Sequence, residues 1–116
     1  MTTDAHRLLA DLRVATLARI AQLDDEMADL RADRAIDSAD DEHDPEGVTL
    51  SGEWSLLAGL RDEASRTLGE IDLALARVAD GTYGTCVDCG RAIPDARLRA
   101  RPTALRCVAC AERAGQ

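Results

Sequence analysis

Phenylalanine and lysine are absent from this 116-residue chain, and Trp54 and Tyr83 are its only aromatic residues. A thick globular core is therefore not expected, because aromatic rings supply much of the buried area of ordinary interiors. Long apolar runs are missing too: Asp4, Arg7, Asp11, Arg13 and Arg19 break up the first turns of sequence, so neither a signal-peptide core nor a membrane span is expected. No glycine or proline occurs from Asp4 to about Ala35, which leaves nothing to interrupt a helix over that stretch. Only two histidines occur, His6 and His43, both remote in sequence from the cysteines, and neither a G-x-S-x-G nucleophile turn nor a phosphate-binding loop is present. An enzyme is not expected.

What remains is leucine and alanine mixed with aspartate, glutamate and arginine, the composition of long paired helices. The charge is uneven. Residues 1–85 carry 8 Arg against 19 Asp plus Glu, a net −11, whereas residues 86–116 carry 6 against 3, a net +3. An acidic chain of this kind is a poor candidate for direct, sequence-specific DNA binding, since phosphate contacts need a basic face.

From Asp4 to about Ala35 the apolar residues Leu9, Leu12, Leu17, Ile20, Leu23, Met27 and Leu30 form one helical stripe, with coiled-coil steps of three and four in its second half. A second stripe holds that period from Leu50 through Trp54, Leu57, Arg61, Ala64, Leu68, Ile71, Leu75 and Val78, with Arg61 its single polar member. Gly81 suits the left-handed position that ends a helix, so this helix should run from about Ser51 to Asp80, a span of roughly 45 Å at 1.5 Å per residue. Between the stripes, residues 36–49 hold Asp37, Asp40, Asp41, Glu42, Asp44 and Glu46, with Pro45 and Gly47, and read as an acidic turn. The simplest fold is all-α: an antiparallel two-helix coiled-coil hairpin over residues 1–80, monomeric, with its acidic tip at about 36–49. Pairing of the stripes between two chains is the competing arrangement. Trp54, on the seam, is expected to pack rather than to meet a partner.

All four cysteines lie in the last third, as two C-x-x-C pairs: Cys86 with Cys89, and Cys107 with Cys110. Each pair can set two thiolates on one knuckle, and two knuckles complete the tetrahedral shell of one zinc ion. Such a shell has no open position, so the metal is structural. Disulfides are the alternative, but nothing else suggests secretion, and the chain reads as cytoplasmic. A thioredoxin-like redox pair needs alternating strands and helices, and none surround these cysteines. Residues 81–116 are accordingly expected to form a small four-cysteine zinc finger with a short tail. Arg97, Arg99 and Arg101, within a cluster that includes Arg91 and Arg106, either neutralise nearby helix carboxylates or contact a partner.

The segment Gly81-Thr-Tyr83-Gly84-Thr-Cys86-Val-Asp-Cys89-Gly90, then Ile93, Arg97-Leu98-Arg99-Ala100-Arg101-Pro102, the final C-x-x-C and the preceding helix EIDLALARVADG resemble the DksA/TraR family of bacterial transcription regulators. The resemblance covers about residues 68–110. It implies a protein that binds RNA polymerase rather than DNA, passing its coiled coil through the secondary channel so that tip carboxylates approach the catalytic centre. On that reading the functional tip residues are Asp37, Asp40, Asp41, Asp44 and Glu46. The family's tip pattern is Asp-x-x-Asp-x-Ala; here Asp37-Ser-Ala-Asp40-Asp-Glu42 and Asp41-Glu-His-Asp44-Pro-Glu46 put Glu where the family has Ala. A protein-interaction scaffold or a nucleic-acid-binding zinc ribbon without a polymerase role are the readings of other classes.

Overall fold

In the computed structural model the chain folds into α1 (Thr2–Asp40), α2 (Glu46–Asp80), α3 (Asp95–Ala100) and α4 (Val108–Arg113). The structure describes residues 2–40 and 46–115, and the side chains of 4–33 and 51–115. Among the described residues there is no strand, only an isolated antiparallel bridge between Thr85 and Ala92. No helix among them is long and apolar enough to cross a membrane.

The two long helices form an antiparallel hairpin. Three contacts fix its register: Arg13 with Asp72, Asp24 with Arg61, and Arg31 over the ring of Trp54. Within Ala15–Leu68, moving from Asp24 to Arg31 climbs α1 by seven residues while moving from Arg61 to Trp54 descends α2 by seven, so the register is kept there.

By its internal packing the chain divides into two units. Unit 2 is Ala15–Leu68, and its described residues are all helical. Leu23, Leu30 and Ala64 are buried in it, and Ile20, Met27, Trp54, Leu57 and Leu68 are half-buried. Arg61 does not leave its charge unanswered on the seam. Its guanidinium donates to Asp24, and both side chains keep roughly two-fifths or more of their surface in water, 40% and 48% exposed, so the pair sets register more than it adds stability. The Arg31 guanidinium stands 5.1 Å from the ring centre of the half-buried Trp54, a cation–π contact.

Unit 1 joins Met1–Val14 to Gly69–Gln116. Leu9, Ile71 and Ala74 are almost wholly buried here, at 0%, 1% and 2% exposure, and Arg13 pairs with Asp72 at 2.7 Å. Ala74 lies beside the expected stripe rather than on it, yet it is buried.

Two sequence expectations need correction. Leu17 is not a seam residue but 40% exposed; Thr16 is the half-buried one, which carries the three- and four-residue steps unbroken from Leu12 to Leu23. Both helices also reach further than expected, α1 to Asp40 rather than about Ala35, and α2 from Glu46 rather than about Ser51. Residues 36–40 contain no glycine or proline that would stop α1 earlier. Of the expected tip residues, Asp37 and Asp40 thus fall in the last turns of α1 and Glu46 opens α2, while Asp41 and Asp44 lie outside the described residues.

Candidate metal centre

Helix α2 stops at Asp80 because Gly81 turns left-handed, φ +81, and two backbone bonds close the end: Gly81 N–H to the Val78 carbonyl and Thr82 N–H to that of Arg77. This reversed pair satisfies carbonyls that the helix would otherwise leave open. The Asp80 carboxylate accepts from both the Thr82 hydroxyl and its N–H, which holds Asp80 below the usual carboxylate range. Arg77 reaches over the turn and donates to the carbonyls of Thr82 and Thr85.

The chain then enters the first knuckle. Cys86 N–H bonds to the Arg91 carbonyl at 2.8 Å and Gly90 N–H to that of Cys86 at 3.0 Å, a tight reversal made possible by Gly90 at φ +73. Gly84, φ +84, lets Ile93 N–H bond to its carbonyl at 2.7 Å, and any Cβ added there would meet Leu98 at 3.4 Å. The second knuckle is a helix start: Cys107 is the N-cap of α4 and Cys110 lies within that helix. Val87 N–H to the Leu105 carbonyl, 2.9 Å, ties the knuckles together, and Arg106 clips across to Asp88 at 2.6 Å.

These turns bring the four sulfurs within 4.8 Å of one another, with Cys89 Sγ 3.9 Å from Cys107 Sγ. A tetrahedral shell with zinc–sulfur bonds of about 2.3 Å has edges of about 3.8 Å, so the donors fit this ion in number, chemistry and spacing. Cys86, Ile93 and Cys110 form the small buried cluster, with Leu98 and Cys107 packed on it; Tyr83 closes one side by donating from its hydroxyl to the Pro102 carbonyl at 2.8 Å.

The electrostatics point the same way. Backbone N–H groups, that of Cys89 foremost, pull the Cys86 thiol down to about 6, and the N–H of Cys110 lowers Cys107. Cys110 behaves oppositely. Arg113 donates to its sulfur and favours the thiolate, yet the neighbouring sulfurs and burial outweigh that and push it up to about 11. Four thiolates cannot share this space unless a cation supplies charge, and a divalent metal does so.

The structure gathers the four sequence-predicted cysteines into one site. It treats the arginines unequally: Arg97 is half-buried and donates to the Arg106 carbonyl at 2.8 Å, whereas Arg99 and Arg101 are exposed. Sequence reasoning missed Arg113, whose terminal nitrogen lies 3.1 Å from Cys110 Sγ. Its spacing, three residues after a cysteine on a helix, was the available signal.

Residues 81–114 match the prokaryotic dksA/traR C4-type zinc finger family. RNA polymerase-binding transcription factor DksA of Caulobacter vibrioides is 49% identical over 53 residues, 46% of this chain and 37% of that protein. The protein of the same name from Escherichia coli is 40% identical over 58 residues, 50% of this chain and 38% of its own length. These matches thus span less than two-fifths of the relatives' lengths. The structure of transcription factor DksA2 from Pseudomonas aeruginosa superposes with a TM-score of 0.84 at 28% identity, covering 98% of this chain and 82% of that one. The C4-type finger match and the four gathered cysteines support one structural zinc, and the DksA2 match supports the helical fold.

Proposed function

We propose that the chain, with its dksA/traR C4-type finger and DksA2-like fold, is a DksA/TraR-family transcription regulator that binds RNA polymerase in the cytoplasm through the secondary channel, with its hairpin tip directed at the catalytic centre. The observation that carries this reading is the combination of a family-type finger with a hairpin whose fold matches that of DksA2 over 98% of the chain. The charge distribution supports it: the net −11 of residues 1–85 favours entry into a basic channel and opposes binding along DNA. Cys86, Cys89, Cys107 and Cys110 hold the zinc, which stabilises the finger and performs no chemistry. Asp37, Asp40, Asp41, Asp44 and Glu46 act on transcription without being needed for docking. Arg97 is committed to the finger's own backbone, so a polymerase contact by this cluster falls to Arg99 and Arg101.

The test begins with capture of purified RNA polymerase by the purified chain, and with a photo-cross-linker at Ser38 to report what the tip meets. The triple variant Asp40→Asn, Asp41→Asn, Asp44→Asn keeps side-chain size and much of the turn chemistry while removing three charges. It is expected to bind polymerase at a somewhat lower on-rate, because steering weakens, and to lose most of its effect on open-complex lifetime in transcription in vitro. A triple variant that regulates like the parent reduces the tip to a solvated turn. Failure to capture polymerase at all removes the whole reading in favour of a scaffold.

A further inference from the structure

We infer that Arg113 is a positioning residue of the metal centre, a side-chain N–H donor that holds the Cys110 sulfur in its ligating place and offsets the charge of the four-sulfur site. Four thiolates around one divalent cation leave the site doubly negative, so every sulfur gains from a donor aimed at it. The Cys86 and Cys107 sulfurs take theirs from the backbone: Cys86 from the N–H groups of Cys89, Cys107 and Asp88, and Cys107 from that of Cys110. Cys110 is placed differently. It sits in the first turn of α4, whose free N–H groups face back toward the N-cap sulfur, and it is only 3% exposed, so water is excluded as a substitute donor. Its donor is the Arg113 side chain, at 3.1 Å.

The helix makes this contact inevitable once both residues are present. Positions three apart share a face, and α4 ends at Arg113 itself, where the side chain can fold back along the last turn. Arginine suits the task because its guanidinium stays charged and offers several N–H groups from one plane. Glu112, the adjacent residue, is exposed and belongs to the same helix without touching a sulfur, which makes it the control.

The inference rests on the zinc reading, and the experiment separates the two. The full-length chain is loaded with cobalt(II), whose thiolate charge-transfer absorption reports on the sulfurs, and zinc affinity is measured by competition with a chromogenic chelator. A hydrogen bond to a sulfur lowers the energy of its lone pair. Removing that bond in Arg113→Ala is therefore expected to move the cobalt–thiolate band to longer wavelength and to weaken zinc binding about tenfold, the usual loss when a partner of a metal ligand is removed. Glu112→Ala should change neither quantity. Arg113→Lys, which preserves charge and helix propensity but not the reach and plane of the guanidinium, should show a smaller band shift in the same direction and guards against general damage to α4. A parent band in both Arg113 variants, whatever their zinc affinity, overturns the inference, because a role in helix stability alone leaves the sulfur's electronics untouched. A parent chain that takes up no metal overturns the zinc reading first.

Discussion

The hairpin and the finger solve the same problem, a shortage of core, by opposite means. In the hairpin, Leu9, Leu23, Leu30, Ala64, Ile71 and Ala74 are strung along two helices, so each turn buries a little and no position depends on a distant one. The finger has a buried cluster of Cys86, Ile93 and Cys110 with Leu98 and Cys107 against it, far too little for some thirty residues that lack a strand ladder or a long helix. Its cohesion is concentrated in four sulfurs and a set of backbone bonds that radiate from them. Distributed burial tolerates loss by degrees, whereas concentrated ligation is kept or lost as a whole.

Removing the metal should break this comparison most visibly. Replacement of Cys89 with Ser, or chelation of the parent protein, is expected to abolish stoichiometric zinc and unfold residues 81–116 while most of the ellipticity of α1 and α2 persists. Metal analysis beside circular dichroism checks it. Full metal content in Cys89→Ser would dissolve the four-sulfur assignment, and loss of all helicity would show that the hairpin depends on the finger.

The reciprocal experiment attacks the helical seam, at a residue that shares its unit with the finger. Ile71 is 1% exposed, and Ile71→Asp sets a carboxylate on the seam without a partner, a loss of about 3 kcal/mol or more in helix-hairpin stability. Urea unfolding should move to markedly lower concentration while the variant still binds one zinc ion. Sedimentation of the parent adds a sharper point: the intramolecular register marked by Arg13–Asp72 and Arg61–Asp24 predicts a monomer, and a stable dimer at micromolar concentration would assign those pairs to two chains.

The smallest effect is expected at the junction. Asp80 is held below its usual range by the two Thr82 hydrogen bonds, so the charged form is favoured in the folded state. A depressed carboxylate contributes stability that is complete above its unfolded value of 3.8 and disappears as pH falls through the folded one. Asp80→Ala should therefore melt slightly below the parent at neutral pH, and the gap should close below pH 3.8. A gap that is constant with pH would mean that the carboxylate's charge does nothing at this turn.

The metal ligands were legible in the sequence because two C-x-x-C pairs carry their chemistry in their spacing, whatever the backbone does between them. The long helices were legible because period and the absence of breakers are local properties. Leu17 was misplaced for an equally physical reason: hydrophobicity favours leucine over Thr16, but the heptad phase, which the hairpin partner imposes, selects the threonine. Hydrophobic pattern also passed over Ala74, which is buried beside the stripe. The arginines were the least readable. Arg77, Arg97 and Arg113 find their partners at two backbone carbonyls, another carbonyl and a sulfur, acceptors that exist as neighbours only after the chain has turned. Of the cluster that charge counting saw, at residues 91, 97, 99, 101 and 106, folding made Arg97 and Arg106 internal fasteners and left Arg91, Arg99 and Arg101 exposed.

Arg77 gives the junction after α2 a property that its glycine alone would deny. Gly81 is the natural place to cut this protein into exchangeable parts, since it marks the end of one element and the beginning of another. Yet the Arg77 guanidinium spans that cut, fastening the last helical turn to the Thr82 and Thr85 carbonyls beyond it. The unit of inheritance for anyone grafting this finger onto a different helix thus begins at Arg77, and a chimera spliced at Gly81 would swap the zinc site while leaving its splint behind.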